Sequence, residues 1–185
     1  MALTLTPEPA LGSSWHDFKL PGTDGRNWSL AELRRPQGLL LAFICNHCPY
    51  VQAIHDRLVR DLLELQALGF GVAAISSNDA QAYPQDSFPR MRELAQAWGF
   101  GFPYLYDENQ VVARAYGAVC TPDFFGYDAE GRLVYRGRLD AAARGPRPPG
   151  MARELVDAMR RVAAGERPSG RQQPSMGCSI KWKPA

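Results

Sequence analysis

The chain has 185 residues, of which 45% are hydrophobic and 22% are charged, a composition typical of a soluble globular protein. No apolar stretch approaches the roughly 20 residues that span a bilayer, and the N-terminus lacks the pattern of a signal peptide, so we expect a cytoplasmic protein with no membrane partner. The net charge of +2 conceals a basic segment over residues 132–185, with 12 Lys/Arg against 4 Asp/Glu. These cations lack the interleaved aromatic residues of a nucleic-acid surface, so no nucleic-acid partner is expected.

Strands and helices alternate along most of the chain. Apolar runs and alternating apolar residues predict strands at 39–44, 70–76 and 102–107, and hairpins at 17–30 and 123–139. Apolar residues spaced by three and four predict helices at 49–68, up to about Trp98, at 108–117 and at 151–164.

This order predicts the fold class. Alternating strands and helices indicate parallel strand pairing with helices on both faces of the sheet, and the second hairpin adds an antiparallel edge. We expect an α/β three-layer sandwich with a central mixed sheet and an N-terminal β-hairpin extension. The length fits one domain over residues 1–185, with an extended N-terminus over 1–14 and a C-terminal tail over 166–185 that packs on the domain.

Two of the four cysteines, Cys45 and Cys48, lie three residues apart where the first predicted strand runs into a helix that begins at Pro49. Such a loop lies at the carboxyl end of a parallel sheet, where reactive groups usually gather. Residues i and i+3 at a helix start share a face and are close enough for a disulfide. In a chain without a secretion signal, this spacing indicates redox chemistry or metal binding.

The start of the helix also favours a negative charge, and therefore a thiolate. We expect Cys45, which comes earlier in the loop, to be the more exposed sulfur and the nucleophile, and Cys48 to resolve the mixed disulfide. Between them lie Asn46 and His47, and a protonated His47 would further favour the thiolate. The interpretation requires that a partner molecule can reach at least one ionised sulfur.

A zinc site is the main structural alternative. Structural zinc sites take four ligands, commonly from two closely spaced pairs. The residues that would have to complete such a set do not pair in the sequence: Cys120, Cys178, His16, His47 and His55. We therefore expect no metal.

Several segments carry a resemblance to a known family: FICNHCPYV, SSNDAQAYPQDSF, FPYLYDENQVVARAYGAVCTPDFFGYD, GRLVYRGRLD and SMGCSIKWK. From about residue 15 onward the chain resembles the thioredoxin superfamily, and more closely a thioredoxin-like branch of the peroxiredoxin (AhpC/TSA-type) family that carries a CxxC motif. The resemblance implies a thioredoxin-like sandwich. It also implies that Thr121 and Pro122 form the cis-proline site, which faces the CxxC loop and presents backbone to a substrate.

The chain departs from the family pattern at two places. Leu41 and Cys45 stand where peroxiredoxins carry a proline and a threonine that orient the peroxide. The strand LLLAFI lacks the buried acid of thioredoxins, so the proton acceptor of the resolving thiol is not identified. Cys120 and Cys178 are possible auxiliary thiols, and the alternative for each is an inert buried cysteine.

Three functions follow from these features. The first is a thiol–disulfide oxidoreductase in which Cys45 and Cys48 act on protein or small-molecule disulfides, are recycled by a reducing thiol system and need no bound organic cofactor. The second is an antioxidant peroxidase, acting on peroxides, with Cys48 as the peroxidatic cysteine and Cys45 resolving it. The third is a non-enzymatic module that senses redox state or binds a protein.

Overall fold

The computed structural model describes residues 3–184 and contains ten strands and five α-helices in this range. The strands are β1 (Leu3–Leu5), β2 (Lys19–Pro21), β3 (Asn27–Ser29), β4 (Leu39–Phe43), β5 (Gly71–Ser76), β6 (Tyr104–Tyr106), β7 (Cys120–Thr121), β8 (Asp123–Tyr127), β9 (Leu133–Gly137) and β10 (Met176–Ser179). The helices are α1 (Leu30–Leu33), α2 (Pro49–Ala67), α3 (Phe88–Ala97), α4 (Val111–Tyr116) and α5 (Glu154–Ala163), and a 3-10 turn covers Pro84–Asp86.

The central sheet has five strands in the order β6-β5-β4-β8-β9. β5 pairs in parallel with β4 and β6, whereas β8 pairs antiparallel with β4 and β9. The expected mixed α/β sheet with an antiparallel edge is confirmed. Every residue of β4 is buried, as its continuous apolar run predicts for a strand covered on both faces.

Two apolar clusters cover the two faces of this sheet. On the first face, α2 buries a stripe with helical spacing that packs with residues of β4, β8 and α5: Val51, Ile54, Leu58, Leu62 and Leu65. Each of these side chains contributes roughly 1.5–3 kcal/mol by burial. On the second face, β4 and β8 pack against α1, α4 and the hairpin of β2 and β3. Because side chains alternate along a strand, neighbouring residues of β4 and β8 belong to opposite clusters.

A second, small sheet joins distant parts of the chain in the order β1-β10-β7. β10 runs antiparallel to β7, with Cys178 opposite Thr121 and Ser179 opposite Cys120. The peptide bond between Thr121 and Pro122 is cis, as the family resemblance implies. The tail segment at 176–179 is therefore a strand that lies directly beside the cis-proline. No helix within residues 3–184 combines the length and apolar character that a membrane crossing requires.

Candidate active site

The cysteine loop lies between β4 and α2, and Cys48 is the N-cap residue of α2, with Pro49 in the first helical turn. Opposite the loop stands Thr121, which contacts both sulfurs. The Sγ atom of Cys45 lies 3.3 Å from the Thr121 hydroxyl oxygen, and the Sγ atom of Cys48 lies 3.2 Å from the Thr121 carbonyl oxygen. The structure therefore brings together the two cysteines and the cis-proline segment that the sequence nominates.

Both sulfurs are covered in this conformation. The exposed fraction is 1% for Cys45 and 0% for Cys48. The expectation that Cys45 is exposed is wrong, because both residues belong to the apolar cluster under α2 rather than to the loop surface. Exchange with an outside partner thus requires the cover over the loop to move.

A buried carboxylate, Asp86, is hydrogen-bonded to the backbone of the cysteine loop. Its Oδ1 accepts hydrogen bonds from the backbone N–H groups of Asn46, at 2.8 Å, and His47, at 3.2 Å. Its Oδ2 lies 2.6 Å from Nδ1 of His47 and accepts a 2.7 Å hydrogen bond from the Asn78 side chain. With four such contacts and no exposed surface, Asp86 is a fully satisfied buried acid.

The side chains of Asn46 and His47 are fixed as well. Asn46 accepts a hydrogen bond from the Tyr104 hydroxyl at 2.9 Å and donates one to the Gln85 carbonyl oxygen at 2.9 Å. The His47 ring stacks on Tyr83, with 5.5 Å between ring centroids and 4° between ring planes. The two residues between the cysteines therefore position the loop rather than project freely into solvent.

The surroundings of the two thiols shift their pKa values in opposite directions. A hydrogen bond from Cys45 lowers the pKa of Cys48 to about 4, and donors at Thr121, Cys178 and the Val51 backbone act in the same direction against burial. The hydrogen bond to Cys48, burial and the charge of Asp86 raise the pKa of Cys45 well above its ordinary value. The expectation that Cys45 is the nucleophile stays a prediction.

The geometry explains why the charge prefers Cys48. The loop N–H groups of Asn46 and His47 would stabilise an anion at Cys45, but both donate to Asp86 instead. One contact opposes this arrangement: the Thr121 carbonyl oxygen, 3.2 Å from the Cys48 sulfur, would accept a proton from a Cys48 thiol.

The other two cysteines differ from each other. Cys178, on β10, belongs to the same apolar cluster as Cys45 and Cys48, and its side chain interacts with that of Cys48. Cys120 is fully buried, and burial, followed by the charge of Asp123, raises its pKa. Of the two possible auxiliary thiols, only Cys178 joins the loop cysteines.

One group of potential metal ligands is present among residues 3–184. Ligand atoms of Cys45, His47 and Asp86 all lie within 4.8 Å of one another. His47 and Asp86 are hydrogen-bonded at 2.6 Å, whereas two ligands of one tetrahedral zinc ion would lie about 3.4 Å apart. In this arrangement His47 and Asp86 are hydrogen-bonded to each other. Binding of a shared zinc ion would require the distance between their ligand atoms to increase.

An apolar groove of about 200 Å³ opens beside the cis-proline. Its lining includes Tyr50 and Ile54 of α2, Pro122, Leu139 and Met176 of β10. The groove therefore adjoins the segment that contacts both sulfurs.

Sequence reasoning missed Asp86, which supplies the buried acid that the strand LLLAFI lacks. The acid comes from the segment SSNDAQAYPQDSF, whose sequence alone indicates no chemical role. No periodicity marks Asp86 as buried, because it lies in a loop with a single 3-10 turn. The available signal was that this loop follows the strand next to β4 and so ends at the same edge of the sheet.

The mixed sheet, the flanking helices and the cis-proline opposite a cysteine loop define a thioredoxin-fold protein. The chain belongs to the AhpC/TSA family, whose model matches residues 11–136. None of the curated protein sequences matches the chain significantly. Family membership and the thiol cluster together support a thiol redox function.

Solved structures extend the likeness over the whole chain. An uncharacterized conserved protein from Geobacillus kaustophilus is 39% identical, with a TM-score of 0.95 over 100% of this chain and 98% of that one. A hypothetical protein from Sinorhizobium meliloti is 42% identical, with a TM-score of 0.90 over 98% and 100%. The thioredoxin domain of a thiol-disulfide oxidoreductase from Bacteroides vulgatus shares the fold at 14% identity, with a TM-score of 0.64 over 84% and 99%.

Proposed function

We propose that the protein is a thiol–disulfide oxidoreductase that uses the Cys45–Cys48 pair. The observation that carries the proposal is the convergence of both thiols on Thr121, next to the cis-proline and at the start of α2. A thiolate is the attacking species in disulfide exchange, and a pKa of about 4 keeps Cys48 ionised at neutral pH.

The reaction takes place in two displacements. The Cys48 thiolate attacks one sulfur of a substrate disulfide, forms a mixed disulfide and releases the other substrate sulfur as a thiolate. Cys45 then loses its proton and attacks the Cys48 sulfur. This forms the Cys45–Cys48 disulfide and releases the second substrate thiolate, which takes up a proton. Two thiols of the protein are oxidised while one substrate disulfide is reduced, and an external thiol system restores the pair.

Asp86 is the proposed proton acceptor for the second displacement. A carboxylate oxygen of Asp86 lies within 4.8 Å of the Cys45 sulfur. Asp86 is buried, and Cys45 is the thiol that must lose a proton in this step. The hydrogen bond to Cys48, burial and the charge of Asp86, in that order, raise the pKa of Cys45. The first of these causes is lost when Cys48 enters the mixed disulfide.

A substrate reaches the pair from the side of Pro122, where the apolar groove lies. The groove suits the apolar flank of a protein disulfide, because most of its lining residues are apolar, although Arg57, Arg138 and Asp140 also line it. Since both sulfurs are covered at rest, we expect native alkylation by iodoacetamide at pH 7 to be limited by opening of the site. The alkylation rate should therefore rise on addition of urea at concentrations below those that unfold the protein.

Insulin-disulfide reduction with a thiol reductant tests the proposal. Wild type should catalyse the reduction, while Cys45→Ser and Cys48→Ser should each abolish it. Cys120→Ser is the matched control, a buried cysteine outside the pair, and should retain the wild-type rate. Equal rates for wild type and Cys48→Ser would exclude disulfide exchange at this site.

A peroxidase is the second candidate, favoured by the location of the charge on Cys48. In that reaction the Cys48 thiolate attacks a peroxide, becomes a sulfenic acid and releases an alcohol or water. The Cys45 thiol then condenses with it to a disulfide and water. Stopped-flow oxidation of the reduced protein by hydrogen peroxide separates the two candidates, because a rate no faster than that of free cysteine rules out the peroxidase.

A further inference from the structure

Strand β10 lies directly beside the cis-proline segment, and Gly177 makes this close approach possible. A Cβ atom at Gly177 would collide with the carbonyl oxygen of Thr121 and approach the nitrogen of Pro122. Only glycine therefore allows β10 to lie this close to the cis-proline segment. This close approach places the next residue, Cys178, opposite Thr121, which itself contacts Cys45 and Cys48.

The tail is also tied to the cysteine loop by hydrogen bonds. Asn78 accepts a 2.9 Å hydrogen bond from the backbone N–H of Lys181 and donates a 2.7 Å hydrogen bond to Asp86. The Lys181 carbonyl oxygen accepts from the Asp79 N–H at 2.8 Å and from the Gln110 side chain at 2.8 Å. These hydrogen bonds fix the tail, and therefore Cys178, in one position beside the cysteine loop.

Cys178 belongs to the same buried cluster as Cys45 and Cys48. Its partner across the strands is Thr121, the residue that contacts both of those sulfurs. Among the three, Cys178 has the largest exposed fraction, 5% against 1% and 0%. Its position beside β1, an edge strand with exposed Leu3 and Leu5, puts it nearest the surface.

From this geometry we propose that Cys178 is a third redox thiol, which takes over the disulfide from the Cys45–Cys48 pair and presents it to the reductant. The inference rests on the proposed function. The Cys178 thiolate attacks the Cys48 sulfur of the Cys45–Cys48 disulfide, so the Cys48–Cys178 bond forms and Cys45 leaves as a thiolate. Cys45 takes up the proton that Cys178 has lost. No net oxidation occurs in this step, and an external dithiol then reduces the Cys48–Cys178 disulfide.

The groups around Cys178 make its pKa depend on the oxidation state of Cys48. In the reduced protein, burial, followed by the hydrogen bond and negative charge of Cys48, raises the pKa of Cys178 to about 11, while Lys181 acts to lower it. When Cys48 enters a disulfide, both effects of Cys48 disappear and the effect of Lys181 remains. Cys178 therefore becomes a better nucleophile only after the pair has been oxidised.

Trapping the intermediate is the direct test. The full-length Cys45→Ser/Cys120→Ser protein retains only Cys48 and Cys178, and oxidation with diamide should join them in an intramolecular disulfide. Non-reducing digestion and mass spectrometry identify the linked peptides. If both thiols are still alkylated separately after oxidation, or only intermolecular disulfides form, the proposal is overturned.

The kinetics of Cys178→Ala distinguish failure of the relay from failure of the proposed function. We expect single-turnover oxidation by a substrate disulfide to match wild type, and reduction of the oxidised protein by dithiothreitol to be about tenfold slower. Circular dichroism and urea unfolding establish that the variant is folded. Equal rates in both half-reactions would overturn the relay alone, whereas absence of the oxidative half-reaction in wild type would overturn the proposed function.

Discussion

Cys48 and Asp123 are buried acidic groups that flank the cis-proline on opposite faces of the central sheet, and their surroundings act on them in opposite directions. Hydrogen bonds lower the pKa of Cys48 to about 4, whereas burial raises the pKa of Asp123 to about 7. Cys48 has donors on several sides. Asp123 has Arg136 at 2.9 Å from Oδ2, and among the described residues nothing donates to its Oδ1.

The difference shows that burial alone does not set the charge of a group. Both residues have an exposed fraction of 0%, yet hydrogen bonds lower the pKa of Cys48 and burial raises the pKa of Asp123. On the thiol face the fold stabilises a charge that the proposed chemistry needs. On the opposite face, Asp123 and Arg136 form a partly satisfied pair, with the guanidinium 4.5 Å over the Phe125 ring, and this pair joins β8 to β9.

The largest expected change in stability comes from breaking the Asp123–Arg136 pair on the second face of the sheet. Asp123→Ala leaves the Arg136 charge buried without its partner and should lower the free energy of unfolding by about 3–5 kcal/mol. Urea unfolding at pH 7 measures this loss. The double variant Asp123→Leu/Arg136→Met should recover most of it, because an apolar pair of similar volume needs no counter-charge. A loss below about 1 kcal/mol in Asp123→Ala would show that the pair is not coupled.

The two groups should also give opposite pH dependence of stability. The folded pKa of Cys48, about 4, lies below its ordinary value of 9.0, so its contribution is complete above pH 9 and is lost as the pH falls through 4. The folded pKa of Asp123, about 7, lies above 3.8, so its contribution is complete below pH 3.8 and is lost as the pH rises through 7. Each slope reaches at most about 1.4 kcal/mol per pH unit.

Single variants separate these slopes between pH 5 and pH 7, where they oppose each other in wild type. Under reducing conditions, Cys48→Ser should become less stable as the pH rises, and Asp123→Asn should become more stable. The measurement is the free energy of unfolding in urea at pH 5, 6 and 7 for the three proteins. Parallel curves for wild type and Cys48→Ser would mean that Cys48 is not ionised in the folded protein.

A smaller effect is expected at Asp86, the buried acid that is fully satisfied. Asp86→Asn removes the charge beside Cys45 and should lower the pKa of Cys45 by about 1–3 units. Titration of thiolate absorbance in the Cys120→Ser/Cys178→Ser background measures this pKa and leaves only the loop pair visible. An unchanged Cys45 titration would remove Asp86 from the proposed proton transfer.

The smallest effect concerns the stacked rings of His47 and Tyr83. Tyr83→Leu removes one aromatic contact at the surface and should lower the free energy of unfolding by about 0.5–1 kcal/mol. Because Asp86 keeps its four contacts in this variant, the thiolate titration should not change. A titration that shifts as far as in Asp86→Asn would show that the ring stack, and not the carboxylate, controls the charge of the pair.

Much of the fold follows from patterns that act locally. The continuous apolar run of β4, the spacing of Val51, Ile54 and Leu58, and the turn at 128–131 each predict an element that the structure contains. The loop chemistry of Cys45 and Cys48 is local in the same way, because three residues at a helix start fix their proximity.

The remaining features of the site depend on contacts between distant parts of the chain. Asp86 meets the cysteine loop across 40 positions, and Lys181 meets Asn78 across 103. These long-range contacts determine whether Cys45 is covered and which sulfur carries the charge. A pattern of neighbouring residues contains no record of them, so the sequence did not indicate that Cys45 is covered.

The late position of β10 in the chain has a consequence for synthesis on the ribosome. The thiols at 45 and 48, the acid at 86 and the cis-proline at 122 all leave the exit tunnel before residues 176–181, which contact Thr121 and Asn78. Until that segment emerges, the nascent chain carries its cysteine pair without the strand that lies over it. The contacts of the tail with Thr121 and Asn78 are therefore the last part of the site to form during synthesis.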